Sequence, residues 1–352
     1  MNTQFSARLS KIEDILSRTL PDSLSDEWLK FSFGEEYPAI KEEHAKPLSD
    51  VCTRLVHAGG KRWRPLLLVL CAEMQKIADK KDASDIADAY KIVPLLEFVH
   101  TASLIHDDIE DGAQERRGLS CAHIAFGLDT AINAGSWLYF EAAAVIENIK
   151  DDNLKLRLYR LFAEELRRLH LRQAMDIAWH RDTKKIPTTD EYLAMVKNKT
   201  GTLSSFAAKA GVLIGGGNAE AVAKAGKIAA DIGAGFQVLD DVINLMSGNV
   251  GKKRGDDITE GKKSLPALIY LQLSNEDGKE KLFQYFEEAK RDGIDSPAVE
   301  KAISLMEKSG AISAAFSDAK ALIKNATAEL HALYPDNSAT DLIEELFVSM
   351  MK

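Results

Sequence analysis

Apolar residues return at intervals of three and four along almost the whole of this chain, as in LLEFVHTASLIHD (95–107) and LIEELFVSMM (342–351). That spacing lines them along one face of a 3.6-residue helix, and no other feature narrows the possible architectures as much. No succession of alternating strands with tight hairpin turns is found, so an all-α fold is expected. Polar breaks fall at SFGEEYPA (32–39), HAGGKRWRP (57–65), HRDTKKIPTTDE (180–191) and SGNVGKKRGDDITEGKKSLP (247–266). None has the composition of a flexible linker, which predicts a single domain over residues 1–352. The last break is the longest, and a loop of that length inside a compact domain commonly serves function. Thr189 with Glu191, and Asn337 or Ser338, are helix-start signals, while Asn218 after the GGG at 215–217 can cap a new helix. Pro94, inside an otherwise helical run, predicts a kink or a helix start.

The 352 residues carry 45% hydrophobic and 28% charged side chains with a formal net charge of −9. This balance supplies a core and argues against a general nucleic-acid binder, which needs clustered Lys and Arg. Cys52, Cys71 and Cys121 lie far apart without a Cys-x-x-Cys spacing, which fits a reducing cytoplasm better than a disulfide or zinc framework. The longest apolar run, PLLLVLCA, is too short to span a bilayer, and charges interrupt the first sixteen residues, so neither membrane segment nor export signal is expected.

Chemistry concentrates in SLIHDDIEDGAQERRG (103–118). On an α-helix Asp107, Asp108 and Asp111 fall within an arc of about 100°, so three carboxylates share one face directly after an apolar stretch. Such a face repels itself unless a cation joins it. Oxygen donors with no nearby Cys favour a hard ion, and Mg²⁺ takes one or two carboxylates and leaves its other positions to water and phosphate. A second cluster, FQVLDDVINL, repeats the spacing with Asp240, Asp241 and Asn244. Cations surround both: Lys61, Arg62 and Arg64, then Arg116 and Arg117, Lys199, Lys252 and Lys262. Carboxylates that bind metal and arginines that fork onto phosphate oxygens suit a diphosphate substrate, or two.

These motifs, GGKRWRP, HTASLIHDDIED, RRG, KTG, GFQVLDD and GKKRGDDITEGKKSLP, cover residues 59–266 and in this order resemble the trans-isoprenyl diphosphate synthases, or polyprenyl synthetase family. The resemblance implies a helical bundle around a deep cavity, a homodimer, and three Mg²⁺ ions. Carried over position by position, it implies that Asp107, Asp108, Asp111, Asp240 and Asp241 hold metal. Arg116, Lys199, Thr200, Gln237, Lys252 and Lys262 would grip the allylic diphosphate. Gly60, Lys61, Arg64, His100 and Arg117 would place isopentenyl diphosphate. The implied reaction ionises the allylic C–O bond, joins the cation to the isopentenyl double bond and releases a proton, without a covalent enzyme intermediate. Small residues before the first acids, Ala102 and Ser103, imply a product of twenty carbons or more, since aromatics at these positions shorten it in the family.

The chain departs from the family pattern at Asn244, where a third Asp is usual, at Ser120, at Ser136 and at Arg172. Two rival readings share the fold: a class I terpene cyclase, which would not need the isopentenyl positions, and a non-catalytic subunit of a heteromeric synthase, in which the acidic motifs are commonly lost. The Glu-x-x-His spacing of Glu97 and His100 also matches half of a di-iron motif, but no second copy exists.

Overall fold

A computed structural model describes residues 3–34, 39–181, 186–248 and 253–350, and for Thr3, His180, Asn198, Lys199, Thr200 and Met350 the backbone alone. Helices α1 (Thr3–Thr19), α2 (Asp26–Phe33), α3 (Glu42–His57) and α4 (Trp63–Ala78) precede the long α5 (Ala87–Glu110). A two-stranded ribbon, β1 (Glu115–Arg116) and β2 (Leu119–Ser120), leads into α6 (Ala122–Ala125), α7 (Leu128–Ala144) and a 3₁₀ turn, Val145–Asn148. Three long helices follow: α8 (Asp152–Arg181), α9 (Thr189–Gly215) and α10 (Ala219–Met246). Then come the short α11 (Asp256–Thr259), α12 (Leu265–Leu273), α13 (Glu276–Asp292), α14 (Pro297–Lys308), α15 (Ala311–Leu333) and α16 (Ser338–Met350).

The residues gather into two compact units. The first comprises Met1–Glu164, Phe206–Gly226 and Asp336–Leu346; the second comprises Glu165–Ser205, Lys227–Pro335 and Phe347–Lys352. The divisions fall inside α8, α9, α10 and α16, so the chain forms one all-α fold and not two separable domains.

In the first unit α5 is the central rod, packed against α1, α3, α4 and α7. Ile92, Val93, Leu95, Leu96, Phe98 and Val99 have no exposed surface, and each large apolar side chain so enclosed contributes about 1.5–3 kcal/mol relative to solvent. Gly211 lets α9 approach α4 closely: a Cβ there would lie 2.3 Å from the Leu68 carbonyl oxygen. In the second unit α11 packs on α13, α13 on α14, and α12 on α15, over Leu282, Phe286, Ile303 and Met306.

Local signals explain most boundaries. Asn218 accepts from the Ala221 N–H at 2.9 Å and Asn337 from the Ala339 N–H at 3.1 Å, capping α10 and α16. For α9 the cap is Thr188, one residue before the expected position: its Oγ1 accepts from the Glu191 N–H while the Glu191 carboxylate accepts from the Thr188 N–H, a reciprocal box. The expected start or kink at Pro94 is not where α5 begins. The helix starts at Ala87 and runs through Pro94, whose ring is buried in the core, so packing outweighs the lost backbone hydrogen bond.

The all-α architecture carries one small strand element. The chain is not wholly helical among the described residues, because Glu115 pairs with Ser120 and Arg116 with Leu119 in an antiparallel ribbon. Its two-residue turn, Arg117 (φ 55°) and Gly118 (φ 75°), has the doubly positive φ that matches the twist of a tight hairpin. The RRG triplet is thus a turn that fixes where two guanidinium groups go.

Candidate active site

The hairpin places its arginines in opposite directions within the first unit. Arg116 donates from Nε (2.8 Å) and Nη2 (2.5 Å) to Oδ1 of Asp108, the fully buried member of the first acidic cluster. Burial opposes the Arg116 charge, but Asp108 and Asp107 outweigh it and hold the guanidinium above its ordinary pKa. Asp107 is partly exposed and Asp111, at the C-cap of α5, is exposed. The pair sits one helical turn apart on one face. Asp108 therefore orients Arg116, while Asp107 and Asp111 present the outward carboxylates.

Arg117 turns the other way, donating to the Leu55 carbonyl at 2.8 Å and lying 3.6 Å from Glu97. It meets a second group of predicted residues. Arg64 Nη1 lies 3.2 Å from His100 Nε2, and since a guanidinium can only donate, that imidazole nitrogen accepts. Burial, then the charges of Arg64 and Arg117, push His100 well below the usual imidazole range, so it is neutral. Burial also lowers Arg64 to about 10, and its buried Nε has no hydrogen-bond acceptor. Its guanidinium lies 4.3 Å from the centroid of the buried Trp63 ring. Gly60 (φ 153°) completes the wall, where a Cβ would come 3.1 Å from Arg117 Nη2 and 3.5 Å from Arg62 Nη1. Lys61 is exposed beside it. The result is a cluster of guanidinium groups around the Glu97 carboxylate and a neutral imidazole, with an orphaned donor at Arg64 Nε.

On α5, Ser103 is partly exposed and donates from Oγ to the His100 carbonyl at 2.8 Å, whereas Ala102 is fully enclosed in the packing. Of the two chain-length candidates, Ser103 is the one with room beside it.

The second unit carries the other cluster. Asp240 is exposed on α10 and Asp241 is buried. Tyr192 of α9 donates to Asp241 Oδ2, and Gln237 donates to its Oδ1 at 3.1 Å. Burial, reinforced by the neighbouring Asp257 charge, pushes the Asp241 carboxyl up despite those hydrogen bonds. Lys262 lies 3.5 Å from Asp257 and also pairs with Glu260. Asn244 is fully buried; its Oδ1 accepts from the Asp257 N–H at 3.4 Å, its backbone carbonyl accepts from the Gly255 N–H, and its Nδ2 has no partner. Arg172 is buried and donates to Gln173 Oε1 at 3.0 Å. Lys252, and the side chains of Lys199 and Thr200, lie outside the described residues.

Among the described residues no three acidic, His or Cys side chains converge on one point. The outward carboxylates of Asp107 and Asp111 are hard oxygen donors of the kind Mg²⁺ accepts, and Mg²⁺ keeps water and substrate phosphate for most of its six positions. Sequence reasoning counted Arg62 only among the surrounding cations, missed Tyr192 and Asp257, and set Glu97 aside. The Glu97–His100 spacing does carry information: it puts both on one face of α5, toward arginines and not toward iron.

The sequence profile of the polyprenyl synthetase family matches residues 45–306. A geranylgeranyl pyrophosphate synthase of Penicillium canescens is 39% identical over 218 residues, 61% of this chain and 61% of its own length. A short chain isoprenyl diphosphate synthase of Methanothermobacter thermautotrophicus is 30% identical over 328 residues, 92% of this chain and 94% of its own length. In three dimensions the geranylgeranyl pyrophosphate synthetase of Pyrococcus horikoshii superimposes with a TM-score of 0.78 at 28% identity, covering 97% of this chain and 99% of that one.

Proposed function

Because the chain belongs to the polyprenyl synthetase family, we propose that it is a trans-prenyltransferase joining isopentenyl diphosphate to an allylic diphosphate, dimethylallyl, geranyl or farnesyl. The product is an all-trans polyprenyl diphosphate of twenty carbons or more. One observation carries this reading: an arginine cluster at His100 and an outward acidic face at Asp107 and Asp111 lie on the same helix, about 10 Å apart along its axis at 1.5 Å per residue. Two differently built anion positions on one rod suit two diphosphates handled in different ways. The names of the fungal relative and of the Pyrococcus horikoshii structure support the C20 class.

Asp107 and Asp111 in the first unit, and separately Asp240 in the second, would hold Mg²⁺, three ions being expected in all, and bound Mg²⁺ stabilises negative charge on a departing diphosphate. Asp108 holds Arg116 toward the allylic diphosphate, and Asp241 is held in turn by Tyr192 and Gln237. Arg64, Arg117 and neutral His100 bind the isopentenyl diphosphate, and the buried Arg64 Nε finds its acceptor there. Lys199, Lys252 and Lys262 take further oxygens of the allylic diphosphate. The apolar wall of α5 keeps water from the allylic cation, Ser103 sets the start of the chain channel, and the departing diphosphate accepts the proton.

We also propose a homodimer formed through the outer face of α6 and α7, where Ile124, Leu128, Ile132 and Phe140 expose large apolar surfaces, Phe140 at 77%. Free buried thiols at Cys52, Cys71 and Cys121 agree with a reducing cytoplasm. Incubation with Mg²⁺, farnesyl diphosphate and labelled isopentenyl diphosphate tests the activity. Elongation supports the synthase; cyclic hydrocarbon from the allylic substrate alone would establish a cyclase, and silence a non-catalytic subunit.

A further inference from the structure

Arg62 stands in the middle of the GGKRWRP motif but does not face the pocket. Its side chain is 2% exposed, and all three guanidinium nitrogens are spoken for. Nε donates to Glu13 Oε1 at 2.8 Å, Nη1 to Glu97 Oε1 at 2.5 Å, and Nη2 to Glu13 Oε2 at 3.3 Å and to the Val56 carbonyl. Glu97, 3% exposed, is also the carboxylate beside Arg117, and Gly60 lies against both guanidinium groups. A continuous charge relay therefore runs from Glu13 on α1, through Arg62 and Glu97, to Arg117 in the pocket. Arg62 holds a left-handed backbone (φ 46°) at the N-cap of α4, a conformation a non-glycine residue keeps only where its surroundings compensate.

We infer that Glu13 is a positioning residue for isopentenyl diphosphate, fixing Arg117 from the far side of the pocket by satisfying Arg62. A buried guanidinium cannot remain half-paired without cost. With Glu13 neutral, Arg62 has Glu97 as its one anionic partner and draws that carboxylate away from Arg117. The first helix, remote in sequence from every family motif, thereby becomes part of the homoallylic site. Docking of α1 has other supports: Arg8 forks onto Glu73 at 2.8 and 2.7 Å, Lys11 lies 3.6 Å from the Tyr90 ring centroid, and Phe5, Ile12 and Leu16 are buried. Anchoring and relay can thus be tested apart.

The inference rests on the prenyltransferase reading, and the experiment separates the two. Glu13→Gln, Arg8→Gln and the wild type are compared in steady-state kinetics with each substrate varied. Glu13→Gln is expected to raise KM for isopentenyl diphosphate about fivefold, at the modest end of couplings inside one hydrogen-bonded network, with kcat and the allylic KM within about twofold. Arg8→Gln, which removes an anchor only, should lower the melting temperature and leave all three constants near wild type. An unchanged isopentenyl KM in Glu13→Gln, or an equal rise in both variants, overturns the relay. A wild type that elongates nothing defeats the functional reading instead. Calorimetric titration with inorganic pyrophosphate in EDTA then still reads the arginine cluster: selective weakening in Glu13→Gln sustains the relay, and equal affinity in all three proteins refutes it.

Discussion

Neighbouring carboxylates in this protein differ in occupation because the helix turns 100° between them. Asp107 looks outward while Asp108 is sealed onto Arg116, and Asp240 looks outward while Asp241 is held by Tyr192 and Gln237. Asp107→Ala should cost at least about 10²-fold in turnover, the scale of losing one preorganised electrostatic element, with the fold intact by circular dichroism. Near-normal kinetics would contradict its role. At Asn244 the buried amide ties α10 to the first turn of α11 through the Asp257 N–H. Asn244→Asp should retain activity with Mg²⁺, yet lower metal-free stability by about 1–3 kcal/mol, since a further buried carboxylate joins Asp241 and Asp257; melting curves in EDTA and in Mg²⁺ with pyrophosphate check this. Glu141 offers a pH test away from the site. Burial pushes its carboxyl above the ordinary 4.5 against a hydrogen bond donated by Ser32. A folded-state value raised above the unfolded one gives stability that is full below about 4.5 and lost as pH rises through the folded value. Glu141→Gln should therefore stabilise the protein at pH 7 relative to wild type and lose that advantage near pH 4, as read by denaturant titration at the two pH values.

Helix α5 shows what an element adds to its residues. Its periodic apolar run announced a buried helix, and the acids at its end announced a metal-dependent site. What the run could not show was which side of each turn stays open, because that depends on α1, α3, α4 and α7 packing around it. Ala102 and Ser103 are adjacent small residues in sequence, but only Ser103 has space. Ser103→Phe should shorten the product, with chromatography of the prenyl alcohols as the measurement. Ala102→Phe should overpack the core and cost about 1–3 kcal/mol instead. The ribbon after α5 was legible only in part: RRG marks the arginines, but the doubly positive φ at Arg117 and Gly118 comes from the need to send Arg116 to Asp108 and Arg117 to Leu55. Tyr192 and Asp257 carried no local signal, since a buried hydroxyl gains meaning only when a distant carboxylate is folded against it.

At the scale of the molecule, no described helix is long and apolar enough to cross a membrane. Large apolar side chains stand exposed on α6 and α7, Phe140 the most exposed of the large hydrophobic residues described. By sedimentation velocity the wild type should run as the proposed dimer and Phe140→Asp as a monomer. Four helices, α8, α9, α10 and α16, each begin in one compact unit and finish in the other. Cutting the chain at any of those crossings severs a hydrogen-bonded spiral and not a hinge, so neither portion inherits a closed set of backbone partners. Co-expressed pieces split at residue 226 should therefore fail to reassemble, and any gene fusion or permutation of this chain has to open it elsewhere.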